Sequence, residues 1–258
     1  MSVGVGQPKS EHKVMLITGG SRGIGAATAV MAAQRGYDVA FSYVSDREAA
    51  EAVIARVEAE GQRAIAVKSD ASEENELMEF FSRVDSEFGR LDAVIVNAGI
   101  LFERIRVEDI TVDRLNRVLA VNVVGAFVTC REAVRRMSTD HEGGGGAIVV
   151  VSSAASRLGS ANEFVDYAAS KGATDSLTIG LANEVAGKGI RVNAVRPGLI
   201  HTDIHLDSGV DDRIGELVGG VPMQRGGTAD EVAESILWLC SDSSSYLTGT
   251  FIDVTGGR

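Results

Sequence analysis

A tyrosine and a lysine stand four residues apart in the stretch DYAASKG, which covers residues 166–172. At this spacing Tyr167 and Lys171 lie on one face of a helix. An ammonium group near a phenol favours the phenolate and lowers the phenol pKa, so the phenol can exchange a proton with a substrate oxygen. The chemistry that this pair suggests is the interconversion of a carbonyl and an alcohol. A tyrosine packed beside a surface lysine gives the same pattern, so other segments must decide.

A glycine-rich turn near the start of the chain could hold a phosphate. The stretch TGGSRGIG, residues 18–25, follows an apolar run of strand length and opens a segment of helical period. Its glycines allow a tight turn that brings N–H groups and the positive end of a helix up to a pyrophosphate. Their spacing is G-x-x-x-G-x-G rather than the G-x-G-x-x-G of the dinucleotide-binding fingerprint. A turn that serves packing alone is the alternative.

The second predicted strand indicates which dinucleotide this turn would take. An acid at the end of that strand would hold the ribose hydroxyls, whereas basic residues would accommodate a 2′-phosphate. Here the strand ends in FSYVSDR, with Ser42, Tyr43 and Val44 where the acid is expected. Arg22 and Arg47 could each meet a phosphate, although a solvated side chain is the alternative for both, and more readily for Arg47. The sequence therefore favours NADP over NAD.

Short apolar runs alternate with longer segments of helical period along the chain, from VMLIT and GAATAVMAAQRG to the final TGTFIDV. A long helical segment is predicted over Asp113–Met137. This alternation predicts right-handed βαβ crossovers. We expect an α/β, doubly wound Rossmann fold with a mostly parallel seven-stranded sheet and helices on both faces. Residues 1–12 are predicted to be an N-terminal extension and residues 13–258 a single dinucleotide-binding catalytic domain.

Composition excludes several classes of protein. The net charge of −11 and the scattered basic residues argue against a nucleic-acid partner. The apolar runs are too short for a membrane span, and the first residues lack the pattern of a signal peptide. Cys130 and Cys240 fall in apolar helical patterns, which is typical of a reducing compartment, so we expect a cytoplasmic protein. His201 and His205 have no apparent third ligand nearby, so no metal site is predicted.

Six segments occur together in a fixed order. They are TGGSRGIG at 18–25, VNAGI at 96–100, VNVVGAF at 121–127, VVSSAAS at 150–156, YAASK at 167–171 and VRPGLIHTD at 195–203. The set resembles the short-chain dehydrogenase/reductase family, from about Lys13 to the C-terminus. This resemblance implies a metal-free, NAD(P)-dependent oxidoreductase that acts on a CH–OH group and forms a homotetramer. Within the family the chain looks like the group of 3-oxoacyl-acyl-carrier-protein reductase and glucose 1-dehydrogenase.

The resemblance also implies four catalytic residues. Tyr167 would be the acid/base, and Lys171 would lower its pKa and hold the nicotinamide ribose. Ser153 would hydrogen-bond the substrate oxygen, and Asn122 would link Lys171 to a water-borne proton path. The loop between the serine and the tyrosine is one residue longer than in the family pattern, so Ser152 stays an alternative to Ser153.

A cofactor-binding set follows from the same resemblance. Residues 97–99 would pack against the adenine ribose, Asp70 would contact the adenine, and the loop from Pro197 to Thr202 would lie on the nicotinamide side. The predicted set is Gly19, Ser21, Arg22, Gly23, Ile24, Gly25, Ser42, Asp70, Ala71, Asn97, Ala98, Gly99, Tyr167, Lys171, Pro197, Gly198, Ile200 and Thr202.

The substrate is predicted only as a small carbonyl or alcohol compound, which could be a sugar, a ketone or an acyl thioester. We expect the segment between Thr202 and Met223 to form a mobile helix over it. Leu101, Phe102, Glu163 and Phe164 are the expected walls. A catalytically silent nucleotide-binding regulatory protein of the same fold is the alternative function, against which the intact Ser153, Tyr167 and Lys171 argue.

Overall fold

The computed structural model describes residues 10–202, 215 and 217–258. Over these residues one sheet has seven strands in the order β3-β2-β1-β4-β5-β6-β9. Its strands are β1 (Lys13–Ile17), β2 (Tyr37–Tyr43), β3 (Ala64–Lys68), β4 (Ala93–Val96), β5 (Gly146–Val151), β6 (Ile190–Pro197) and β9 (Phe251–Val254). Each neighbouring pair is parallel. Two short strands, β7 (Ile200–His201) and β8 (Gly227–Thr228), form a second small sheet.

Helices cover both faces of the large sheet, so the predicted doubly wound fold is confirmed. They are α1 (Gly23–Gln34), α2 (Arg47–Ala59), α3 (Glu74–Phe88), α4 (Val112–Leu119), α5 (Gly125–Met137), α6 (Ala155–Leu158), α7 (Val165–Val185) and α8 (Ala229–Cys240). A π-helical turn, Ala120–Val124, joins α4 to α5. The long helical segment predicted over Asp113–Met137 is therefore present, with this turn in the middle.

The core consists of one apolar layer on each face of the sheet. Alternate residues of a strand point to opposite faces, so Met15 and Ile17 of β1 pack with α1, α2 and α8, while Val14 and Leu16 pack with α3, α5 and α7. Because the strands are parallel, the loops that follow β1, β4, β5 and β6 meet at one edge. The strand order reverses between β1 and β4, which is where ligands bind in such sheets.

The predicted N-terminal extension lies mostly outside the described residues. At its described end, Ser10 is buried and its hydroxyl donates to Asp38 Oδ2 at 2.6 Å. Its N–H donates to the Phe88 carbonyl at 2.7 Å. Ser10 thus packs against the domain. Most of the predicted substrate-covering segment, residues 203–214 and 216, also lies outside the described residues, and so does His205.

Candidate active site

The glycine-rich turn leads from the end of β1 into α1. Gly19 and Gly23 have φ angles of +69° and +55°, a backbone conformation that favours glycine. A Cβ atom on Gly25 would collide with the Gly19 carbonyl oxygen and would lie 2.8 Å from Asn97 Nδ2. Arg22 holds the N-cap position of α1 without a capping hydrogen bond from its side chain. The first N–H groups of α1 therefore face a position suited to an anion.

Thr18 and Asn97 tie the loops after β1 and β4 together. Thr18 Oγ1 accepts hydrogen bonds from the N–H groups of Asn97 and Ala98, both at 3.0 Å. Asn97 Nδ2 donates to the carbonyls of Thr18 at 3.0 Å and Gly19 at 2.7 Å. The glycine turn is thus held by the neighbouring loop. Thr18 was absent from the predicted site residues, although a polar residue at the end of a buried strand was the available signal.

Lys171 and Tyr167 share one face of α7, as their spacing predicts. Lys171 is buried, and its Nζ donates to the Val151 carbonyl at 2.7 Å. The same nitrogen lies 5.7 Å from the centroid of the Tyr167 ring. Burial lowers the pKa of Lys171 to about 8, and the negative charge of Asp175 acts in the opposite direction.

The two candidate serines differ in their surroundings. Ser152 is buried, and its hydroxyl donates to Asp175 Oδ1 at 2.6 Å. Ser153 is half-buried, and its oxygen accepts the N–H of Ala155 at 3.1 Å. Because Ser153 uses its oxygen as an acceptor, its proton can be directed to a ligand. This geometry supports Ser153 as the residue that meets a substrate oxygen.

Asn122 occupies the π-helical turn between α4 and α5. Its Oδ1 accepts the N–H of Ile100 at 2.8 Å, and its Nδ2 donates to the Ile100 carbonyl and to Ser170 Oγ, both at 3.0 Å. A Cβ atom on Gly99 would be 3.4 Å from Lys171 Nζ and 3.5 Å from Asn122 Oδ1. Asn122 therefore ties the loop after β4 to α7, close to the lysine. Its predicted link to a water path stays a prediction.

A cavity of about 730 Å³ runs along the carboxyl edge of the sheet. Most of the predicted site residues line it: Gly19, Ser21, Arg22, Gly23, Ile24, Ser42, Asp70, Ala71, Asn97, Ala98, Gly99, Ser153, Tyr167, Lys171, Pro197, Gly198, Ile200 and Thr202. Gly25 and Asn122 lie behind this lining and support it. The cavity falls in the size range of small-molecule and cofactor sites.

Several polar groups on the β2 and β3 side of the cavity are already engaged. Ser42 Oγ accepts the N–H of Gly19 at 2.9 Å, so this side chain holds the turn. Asp70 Oδ2 accepts from Arg117 Nη2 at 2.7 Å. Burial opposes ionisation of Asp70, yet the hydrogen bonds from Arg117 and Ser72 hold its pKa below the usual value. Ser69 also lines the cavity, but its Oγ is buried and has no hydrogen-bond partner within the described part of the chain.

Three of the four predicted substrate walls border the other end of the cavity, namely Leu101, Glu163 and Phe164. Phe102 instead packs beneath the guanidinium of Arg114, whose Cζ lies 5.4 Å from the ring centroid. Further residues border this end without having been predicted: Leu158, Ser160, Ala161 and Arg258. Arg258 lies far from the catalytic motif in sequence, and the other three lie shortly before it. No spacing rule marks any of them.

The described residues contain neither a metal-binding cluster nor a membrane-spanning helix. Within residues 10–202, 215 and 217–258, no group of three or more His, Cys, Asp or Glu side chains is placed to hold a metal ion. Over the same ranges, no helix combines the length and the apolar character needed to cross a membrane.

This chain is similar to known proteins along most of its length. A family model described as Enoyl-(Acyl carrier protein) reductase matches residues 19–258. The uncharacterized oxidoreductase YgfF of Escherichia coli (strain K12) is 52% identical over 245 residues, which are 95% of this chain and 99% of YgfF. This chain belongs to the short-chain dehydrogenase/reductase family. It is an oxidoreductase of that family.

Solved structures of the same family have a similar fold. A short-chain dehydrogenase from Burkholderia cenocepacia J2315, in complex with NADP, is 35% identical with a TM-score of 0.87, and the match covers 95% of this chain and 97% of that one. The 3-ketoacyl-(acyl-carrier-protein) reductase from Brucella melitensis, complexed with NADH, is 30% identical with a TM-score of 0.88, over 95% and 98% of the two chains. Members of the family with this fold thus bind either nicotinamide cofactor.

The Thr18 hydroxyl provides a test of the loop anchor. Thr18→Val keeps the shape but leaves the N–H groups of Asn97 and Ala98 without their acceptor, so we expect the free energy of unfolding to fall by about 1–3 kcal/mol. Thr18→Ser keeps the oxygen and should lose clearly less. Urea unfolding followed by circular dichroism measures both. Equal losses in the two variants would mean that the methyl group, rather than the hydroxyl, holds the loops.

Proposed function

We propose that this protein transfers hydride between NADP(H) and a carbonyl or secondary alcohol substrate, with Tyr167 as the acid/base. The observation that carries the proposal is the position of the buried Lys171 ammonium, 5.7 Å from the Tyr167 ring at the wall of the cavity. Ser153 borders the same cavity. A phenol, an ammonium and a hydroxyl at one wall are the groups that carbonyl reduction needs.

The residues of the cavity fit a dinucleotide. The glycine turn and the start of α1 present N–H groups suited to the pyrophosphate. Asp70 and Ala71 border the same cavity, where the adenosine half would lie. Lys171 can reach the nicotinamide ribose, and Pro197, Gly198 and Thr202 border the nicotinamide end. When bound there, the cofactor supplies or accepts the hydride.

Each catalytic side chain has a separate task in the proposed reduction. Ser153 donates a hydrogen bond to the carbonyl oxygen and orients it. Tyr167 then donates its phenolic proton to that oxygen as hydride arrives at the carbon, and in alcohol oxidation it takes the proton back. Lys171 supplies positive charge that stabilises the phenolate and so lowers the Tyr167 pKa. The Val151 carbonyl holds the ammonium in place.

Tyr167→Phe tests the acid/base role. The variant keeps the ring and its packing but has no proton to give, so we expect turnover to fall by about a hundredfold to ten-thousandfold while NADPH still binds. Initial rates with NADPH and a panel of ketones, aldehydes, sugars and acyl thioesters identify a substrate for the assay. Tyr246→Phe is the control, because Tyr246 is fully exposed. Near-normal turnover of Tyr167→Phe, with chemistry limiting the rate, would refute the role.

The preference for NADP over NAD belongs to the same proposal. Ser42 stands where an acid would hold the ribose, and its Oγ accepts the Gly19 N–H, so no carboxylate occupies this position. Asp46, slightly later, caps α2 by accepting the Ala49 N–H at 2.9 Å. Arg47 pairs with Glu51 of its own helix at 2.7 Å. Arg22 borders the cavity within the glycine turn, and Arg47 is not part of the cavity lining. This arrangement supports Arg22 as the residue that meets a 2′-phosphate.

Arg22→Ala tests the preference. We expect wild-type protein to bind NADPH about tenfold to a hundredfold more tightly than NADH, because a charge-assisted contact to phosphate contributes about 1.5–3 kcal/mol. The variant should lose most of this difference, and Arg47→Ala should retain it. Fluorescence titration of the three proteins with both reduced cofactors gives the three NADPH-to-NADH affinity ratios. A wild-type protein without preference for NADPH would rule the proposal out.

A homotetramer is the assembly that we propose. Large apolar side chains are exposed along α4, the π turn and α5, namely Val112, Leu119, Val124 and Phe127. Trp238 of α8, on the opposite face of the sheet from α5, is also exposed. Two separate apolar faces suit an assembly with two kinds of interface.

Light scattering tests the assembly. The wild-type mass should be about four times the chain mass of 27.1 kDa. Phe127→Glu, which places a charge on the exposed α5 face, should lower the mass, since burying an unpaired charge is costly. A monomeric wild-type protein at micromolar concentration would contradict the proposal.

A cytoplasmic location also stays a prediction, supported by two buried free thiols in separate helices.

A further inference from the structure

A series of charged side chains begins next to Lys171 on α7. Asp175 follows Lys171 by one turn of α7 and accepts the Ser152 hydroxyl at 2.6 Å through Oδ1. Its other oxygen, Oδ2, accepts from Arg196 Nε at 3.1 Å and from Arg196 Nη2 at 2.9 Å. One carboxylate therefore joins the end of β5, the catalytic helix and β6.

The series of charged side chains continues from Arg196 toward the protein surface. The Arg196 guanidinium lies over the Phe251 ring, with Cζ 3.8 Å from the centroid. Its Nη1 is 3.8 Å from Asp253 Oδ1, and Asp253 in turn pairs with Arg157 at 3.2 Å. The side chains of Asp175 and Arg196 are only 13% and 16% exposed. Their fields are screened far less than those of surface ions.

Few charged groups face Lys171 from the elements packed against it. The Tyr167 phenol and the Asp175 carboxylate come from α7, and β5 contributes the Val151 carbonyl. The neutral Asn122 amide approaches from the π turn beside Gly99. Asp166, the other acid near this part of α7, is paired with Arg114 at 2.6 Å. Asp175 is therefore the carboxylate whose charge acts on the ammonium.

We propose that Asp175 and Arg196 act as a pair of positioning residues that set the charge state of Lys171. Asp175 favours the ammonium form, which burial disfavours. Arg196 neutralises part of the Asp175 charge and limits this effect. Ser152 fixes the carboxylate in place. The consequence for turnover rests on the proposed function, because it requires that Lys171 assists Tyr167.

Substitutions of the two residues are expected to shift the Lys171 titration in opposite directions. Asp175→Asn removes the negative charge and leaves Arg196 in place, so Lys171 should titrate at a lower pH than in the wild type. Arg196→Met leaves the Asp175 charge uncompensated, so Lys171 should titrate at a higher pH. Shifts of about 0.5–2 units are expected for charges at such distances. Arg196→Lys keeps the charge and should shift the titration least.

The titration is measured directly by NMR on protein labelled at the lysine side chains, without cofactor or substrate. The chain has lysines only at positions 9, 13, 68, 171 and 188, and Lys171→Met assigns the signal of interest. Asp92→Asn is the control: Asp92 also pairs with an arginine, Arg90, but lies before β4 at the opposite edge of the sheet. It should leave the Lys171 titration unchanged.

Shifts of opposite sign in Asp175→Asn and Arg196→Met support the proposal. Shifts of the same sign, or none in either folded variant, overturn it. If Asp175→Asn does not fold, the double variant Asp175→Asn/Arg196→Met, which lacks both charges, takes its place. The direction of the Lys171 shift in Arg196→Met, which is expected to be upward, then decides the outcome. The readout does not involve turnover. A negative result in the Tyr167→Phe assay would thus reject the proposed function and leave this inference standing on its own.

In an active enzyme the same variants should move the pH profile. The high-pH limb of turnover, where Lys171 loses its proton, should move down in Asp175→Asn and up in Arg196→Met. Ser152→Ala keeps both charges, so it should lower turnover without moving the limb. A merely structural role would lower turnover in all three variants with the limb in place, and that result would also overturn the proposal.

Discussion

Two hydrogen bonds hold the end of β5 against α7, and the geometry of the site depends on them. Lys171 Nζ donates to the Val151 carbonyl at 2.7 Å, and the next residue, Ser152, donates its hydroxyl to Asp175 at 2.6 Å. Ser153 follows directly, and Tyr167 lies one turn earlier on the helix. The position of the serine relative to the phenol is thus set by packing between sheet and helix.

This dependence bears on the loop between Ser153 and Tyr167, which the family resemblance predicts to be one residue longer than the usual pattern. This loop has positive φ angles at Gly159, Ser160 and Asn162, between α6 and α7. Such left-handed residues are costly unless the surroundings hold them, and here they reverse the chain before α7 begins. Loop length can change because the loop does not position either catalytic group.

The sequence was sufficient for the fold class and for most of the cavity lining, because short motifs at strand ends carry both. Within the predicted catalytic and cofactor-binding sets, Gly25 and Asn122 are the two residues that do not border the cavity. Gly25 is required by close backbone packing with Gly19, and Asn122 by the two loops that it joins. A sequence motif identifies such residues, but it does not show whether a residue contacts the ligand itself or supports the residues that do.

Thr18, Asp175 and Arg196 were not predicted as parts of the site. Thr18 acts through Asn97, which is far away in sequence, and Asp175 gains its role only because β6 brings Arg196 beside it. A spacing rule covers one helix or one turn, whereas these contacts arise from tertiary structure. The sequence shows that Lys171 and Asp175 lie four residues apart. The role of this spacing depends on the burial of Lys171 and on Arg196, which lies on another strand.

A crystal structure of the complex with NADP tests the central claim most directly. The account predicts that the pyrophosphate lies on the glycine turn at the start of α1, and that Lys171 and Tyr167 both hydrogen-bond the nicotinamide ribose. It also predicts that the nicotinamide ring faces the space between Ser153 and Tyr167. A cofactor whose nicotinamide lies away from this wall, with Lys171 and Tyr167 in contact with protein alone, would contradict the account.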